Sequence, residues 1–105
     1  MAVTELDDLI KTCRELGKTE RLFAILEDAV DERPDDIPLR TRLAQTHLDA
    51  GNVDQALLHL DKLGDLQMNA GRADDAKATI RAIIALNPPN VEAYRQLLAQ
   101  IDGQA

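Results

Sequence analysis

Two histidines, His47 and His59, one cysteine, Cys13, and two adjacent acid pairs, Asp35-Asp36 and Asp74-Asp75, are the residues best suited to chemistry in this sequence. A histidine beside a thiol or carboxylate could act as a general base, and histidines grouped with acids could hold a metal ion. The spacing supports neither. The histidines stand 12 residues apart on different predicted helices, and Cys13 has no base linked to it by a motif. HExxH, CxxC, a phosphate-cradling glycine loop and a nucleophile elbow are all missing from the sequence. His47 falls at a packing position and reads as a half-buried core residue, whereas His59 reads as a surface residue. Cys13 lies among apolar neighbours and reads as a small buried hydrophobe. The acid pairs fall at helix starts, where capping and the helix dipole account for them. The expectation is a protein without catalysis, cofactor or metal.

Charge narrows the partners. Residues 1–36 hold eleven acids and five bases, and the remainder eight acids and seven bases, which together give −7. Nucleic acid is an unsuitable partner, because phosphate binding needs clustered Lys and Arg and none cluster here. The acidic run Glu27 to Asp36 could attract a basic partner, but reads first as a solvated helix end and turn. A lone cysteine forms no internal disulfide. No apolar run approaches the roughly 18 residues of a membrane span, and the acidic N-terminus is unlike a signal peptide. A soluble, cytoplasmic protein is expected.

The elements that would position these residues are helices. Hydrophobic residues make up 45% of the chain and aromatics only 2%, a composition of packed helices. Apolar residues recur at helical spacing, as in Leu22, Phe23, Leu26 and Val30, and no segment alternates as a strand does. Breakers at Gly17, Arg33-Pro34-Asp35-Asp36, Gly51, Gly71 and Asn87-Pro88-Pro89-Asn90 divide the chain into six predicted helices, at 4–15, 19–32, 37–49, 53–69, 73–86 and 91–101. Thr4, Thr19, Asp36, Asn52 and Asn90 stand where they could cap helix starts. The prediction is an all-α domain over 1–101 with a tail at 102–105.

The breakers also mark a repeat. Gly17 to Gly51 is 34 residues, Gly51 to Gly71 is 20, and Pro34 to Pro88 is 54, the sum of the two. Two kinds of landmark therefore agree on one register, from which about 14 residues, a helix and its turn, are missing in the middle. The blocks Ala50-Gly51-Asn52-Val53-Asp54-Gln55-Ala56 and Ala70-Gly71-Arg72-Ala73-Asp74-Asp75-Ala76 are the visible trace of it.

A helix–turn–helix unit of this length, with a small residue early, Gly at the turn, Ala after it and Pro at the end, resembles the tetratricopeptide repeat. Leu9, Leu43 and Leu63 correspond to one another, as do Ile10, Ala44 and Gly64 at the family's small-residue position, then Gly17, Gly51 and Gly71, then Leu22, Ala56 and Ala76. Pro34 and Pro88 close units. Arg40 stands where the family usually has Trp, and Cys13, His47 and Gln67 where it usually has Tyr. In this register the helix 53–69 serves twice, as second helix of one unit through Ala56, Leu60 and Leu63, and as first helix of the next through Leu63, Gly64 and Gln67. Losing one helix reverses the direction of every later one, so the expected pairs are first with second, third with fourth, and fifth with sixth. A break at Lys62-Leu63-Gly64-Asp65 is the alternative; one long helix is preferred, because Gly inside a helix costs only about 1 kcal/mol.

The resemblance implies a TPR-like right-handed solenoid that acts as an interaction scaffold, holding a peptide or helix of a partner protein in a concave groove. Carried over from the family, the groove positions are Asp7 and Lys11, then Thr41, Arg42 and Gln45, then Asp61, Lys62 and Asp65. The subclass that clamps a C-terminal carboxylate is not expected: its asparagines are absent, and Asp7 would oppose an anion. Self-association is the other reading. Val91, Tyr94, Leu97, Leu98 and Ile101 are expected to face inward from a capping last helix. The first helix carries apolar residues over a broad arc and could dock on a second copy, as a homodimer, or on a longer array.

Overall fold

The computed structural model describes residues 8, 9, 11 and 19–103 of the chain. Among them are five helices and no strand: α1 (Thr19–Glu32), α2 (Ile37–Asp49), α3 (Val53–Asn69), α4 (Ala73–Ala85) and α5 (Val91–Gly103). Asp8, Leu9 and Lys11 are helical too, while the rest of the predicted helix 4–15, with Asp7 and Cys13, lies outside the described residues. No described helix is long and apolar enough to cross a membrane.

Each helix stops for a local reason. Asp36 caps α2, its Oδ1 accepting the Leu39 N–H at 2.9 Å, with Pro38 in the first turn where no donor is needed. The duplicated Ala-Gly block forms the same turn twice. Gly51 takes φ +79° and Gly71 φ +74°, so that Asn52 N donates to His47 O and Arg72 N to Gln67 O, each at 2.8 Å. This left-handed residue with its paired bonds satisfies the last helical carbonyls, and a side chain at either glycine would be strained. Asn52, expected to cap α3, makes no side-chain cap bond. Asn87 adopts φ +53° after α4, as Asn tolerates, and Pro88 follows. Asp102 prolongs α5 two residues past its predicted end by meeting Lys77 of α4 at 3.2 Å.

Consecutive helices pack together, α1 on α2, α2 on α3, α3 on α4 and α4 on α5, in a slab of 45 × 27 × 18 Å. The core has two centres. Leu22, Leu26 and Val30 of α1 meet Leu39 and Leu43 of α2, with Leu9 packed against them. Ala44 of α2, Leu60 and Leu63 of α3 and Ile83 of α4 form the second, against which Leu48 and Tyr94 pack. α3 runs unbroken through Gly64, and at about 1.5 Å per residue it spans on the order of 25 Å. It faces α2 through Leu60, which packs with Ala44, and α4 through Gly64 and Gln67: an added Cβ at Gly64 would stand 4.0 Å from Thr79 Cγ2, and Gln67 bonds Thr79. One helix therefore serves two partners. On α5, Ile101 is buried and Tyr94 half-buried, but Leu97, expected inward, is 40% exposed. α4 packs along this helix and α3 meets it at Tyr94, so its inward stripe is narrower than the sequence pattern suggests.

Candidate functional site

α2 and α4 stand as two walls over α3, and the space between them is a groove of about 270 Å³. Thr41, Ala44, Gln45 and Leu48 form one wall, Asp75, Ala78, Thr79 and Ala82 the other, and Leu60, Leu63 and Gln67 the floor. α2 and α4 make no direct packing contact with each other, so the space over α3 between them stays open. Gln67 is buried, and its Oε1 accepts the Thr79 hydroxyl at 2.6 Å.

Two of the carried-over positions, Thr41 and Gln45, line this groove. Thr41 Oγ1 donates to Ile37 O at 2.8 Å, and Gln45 Nε2 to Asp49 Oδ1 at 2.9 Å. Arg42 is half-buried and outside the lining. Asp61 points instead to α5, accepting the Tyr94 hydroxyl at 2.9 Å. Burial first, then that bond and the charges of Asp61 and Asp65, push the Tyr94 phenol above its ordinary value despite an opposing hydrogen bond from Asn90. Lys62, Asp65 and Lys11 are exposed and outside the lining. Asp7 is outside the described residues. The wall from α4 escaped sequence reasoning, which took groove residues only from helices in the first-helix register; the small residues Ala78 and Ala82, one turn apart, were the available signal.

A second constellation lies where α1, α2 and α3 meet. Glu27 Oε1 stands 3.1 Å from both His47 Nε2 and His59 Nε2. Arg40 Nη1 lies 3.1 Å from His59 Nδ1, and because a guanidinium only donates, that nitrogen accepts. His59 thus carries its proton on Nε2 and donates it to Glu27. The Asn52 amide nitrogen, 3.3 Å from His47 Nδ1, sets His47 the same way. Phe23 stacks on His47 with ring centroids 4.4 Å apart, and His47 stacks on His59 at 5.7 Å. Burial raises the Glu27 carboxyl, but the two histidine hydrogen bonds and attraction to both rings outweigh it and hold it below its ordinary value. Arg40 also donates to Pro34 O at 3.1 Å, while its Nε is buried without a partner.

His59 is therefore no surface residue: its side chain is 12% exposed. Arg40 and His47, at the positions where the resembled family usually has Trp and Tyr, are both buried, so polar groups occupy this seam. Glu27, His47 and His59 have ligand atoms within 4.8 Å of one another, a spacing compatible with a metal ion. The donor set does not fit one. Ligation through His59 Nε2 requires a proton on Nδ1, where metal-bound histidines donate to an acceptor, and Arg40 presents a cationic donor there. The cluster is a fastening of three helices.

A sequence model described as Tetratricopeptide repeat matches residues 15–65, which cover α1, α2 and most of α3. The matched segment is a tetratricopeptide repeat. Such repeats generally mediate protein–protein interaction and are typically non-catalytic scaffolds. The described residues are all-helical, the match is consistent with a helical repeat, and α4 and α5 follow the matched segment. No curated protein matches it.

Proposed function

We propose that this protein is a non-catalytic interaction module that holds a segment of a partner protein in the groove between α2 and α4. The observation that carries the reading is the groove itself: an open space of about 270 Å³ with a floor of Leu60, Leu63 and Gln67 and no element of the described chain laid over it. Small-molecule sites run from roughly 300 to 1,000 Å³, so a groove of this size suits one or two side chains of a larger partner. Thr41 and Gln45 contribute from α2, and Arg42, Asp61, Lys62 and Asp65 flank the site rather than line it. The family match supports the class of function, since tetratricopeptide repeats generally bind proteins.

Ala78 tests the reading, because it is exposed on the wall and a larger side chain there fills the groove without entering the core. Ala78→Trp should abolish capture of partner proteins from the source lysate while far-UV CD stays unchanged. Capture of the same proteins by both forms would refute the groove as the site. Assembly through the N-terminal helix is the second reading. Leu9, on that helix, packs on the Leu22–Leu43 cluster and so serves the chain's own core.

A further inference from the structure

The polar atoms of the groove restrict what can enter it. Gln67 is only 7% exposed, and its Oε1 is occupied by Thr79. Its amide nitrogen has no hydrogen-bond partner among the described residues and is not among the atoms sealed from solvent, and Gln67 lines the groove. An amide N–H on the floor of a groove bonds water when the groove is empty and calls for an acceptor from an occupant that displaces that water. Thr41 and Gln45 offer no comparable demand, since the hydroxyl and the amide nitrogen both bond within α2.

Charge supplies a second restriction. Asp75 is exposed, lines the groove and forms no ion pair among the described residues, whereas its neighbour Asp74 pairs with Lys77 at 3.3 Å. Neither Lys nor Arg lines the groove, so Asp75 meets whatever enters without a competing cation. Asp75 and Thr79 are one turn apart on α4, which places their Cβ atoms about 5–6 Å apart. Thr79 in turn bonds Gln67, so the Asp75 carboxylate is on the wall one turn from the residue that meets the Gln67 amide on the floor.

Resting on the reading of the groove as the partner site, we infer that its occupant is a cationic peptide segment: an apolar side chain on Leu60 and Leu63, a carbonyl oxygen accepting from Gln67 Nε2, and a Lys or Arg paired with Asp75. An anionic segment is disfavoured, because its carboxylate would face Asp75.

Three pools of acetylated, amidated octapeptides test this on the immobilised full-length chain. Each has Leu at a fixed position and, two and four residues after it, Lys in one pool, Ala in the second and Glu in the third. The Lys pool should be retained at least about five-fold better than the Ala pool, a difference of about 1 kcal/mol by the affinity relation, and the Glu pool least. Asp75→Asn should bring the Lys pool down to the Ala pool, Asp75→Lys should invert the order, and Gln67→Leu should weaken all three with far-UV CD unchanged. Equal retention of the pools, an order untouched by Asp75→Lys, or retention of none would overturn the inference. Ala78→Trp separates the two levels. Charge-blind retention that Ala78→Trp abolishes leaves the groove as the site and removes this chemistry, whereas retention that survives Ala78→Trp removes the groove itself.

Discussion

Replacing Glu27 by Leu would withdraw the single acceptor shared by two imidazoles. His47 is 5% and His59 12% exposed at the side chain, so both Nε2–H groups would be left largely out of reach of water. A buried donor without a partner costs about 1–3 kcal/mol. The Glu27 side chain is itself 38% exposed, so water can enter part of the vacated space and the low end applies, about 1 kcal/mol for each ring. The two rings together give a total of about 2 kcal/mol. In a domain of this size that lowers Tm by on the order of 10 °C. Glu27→Gln keeps an oxygen acceptor and should cost about 1 kcal/mol. Urea unfolding followed by far-UV CD at neutral pH measures both. The pH dependence is a further check. The folded carboxyl lies below its ordinary value of 4.5, so its contribution is fully present above pH 4.5 and is lost as pH falls through the folded value. The gap between wild type and Glu27→Leu should therefore narrow on acidification below that pH. A loss smaller than about 0.5 kcal/mol at neutral pH, or a gap that widens in acid, would refute the account of the cluster.

Gly64→Ala should stabilise the protein by about 0.5–1 kcal/mol, because α3 is regular there and the new methyl meets Thr79 Cγ2 at 4.0 Å, an ordinary contact; destabilisation in urea would show that α3 and α4 need the closer approach. Ultraviolet titration should place the Tyr94 phenol above its ordinary 10.0, and Asp61→Asn should lower it; because the folded value is raised, its contribution to stability is present below pH 10 and fades as pH rises through that value. Leu9→Asp should destabilise the fold by about 2 kcal/mol or more, since Leu9 packs on the Leu22–Leu43 cluster; light scattering that instead shows a dimer turned to monomer with unchanged stability would assign Leu9 to an interface between copies.

What the sequence determined by itself is whatever neighbouring residues settle among themselves. The bounds of α1, α2 and α3 follow from Asp36 reaching Leu39 three residues on, and from Gly51 and Gly71 taking backbone angles that other residues resist. The unbroken α3 follows from Leu60, Leu63 and Leu66 sharing one stripe, which a turn at Gly64 would interrupt. The groove is half legible for the same reason: Thr41 and Gln45 belong to one helix face, whereas Asp75 and Ala78 join them only because α4 folds back across α3. The fastening of Glu27, Arg40, His47 and His59 was decided by tertiary structure alone. Glu27 lies 32 residues from His59, and Arg40 lies 19 from it. Whether such groups meet depends on how three helices cross, and helical periodicity reports which face a residue occupies but not what the opposing face will bring to it.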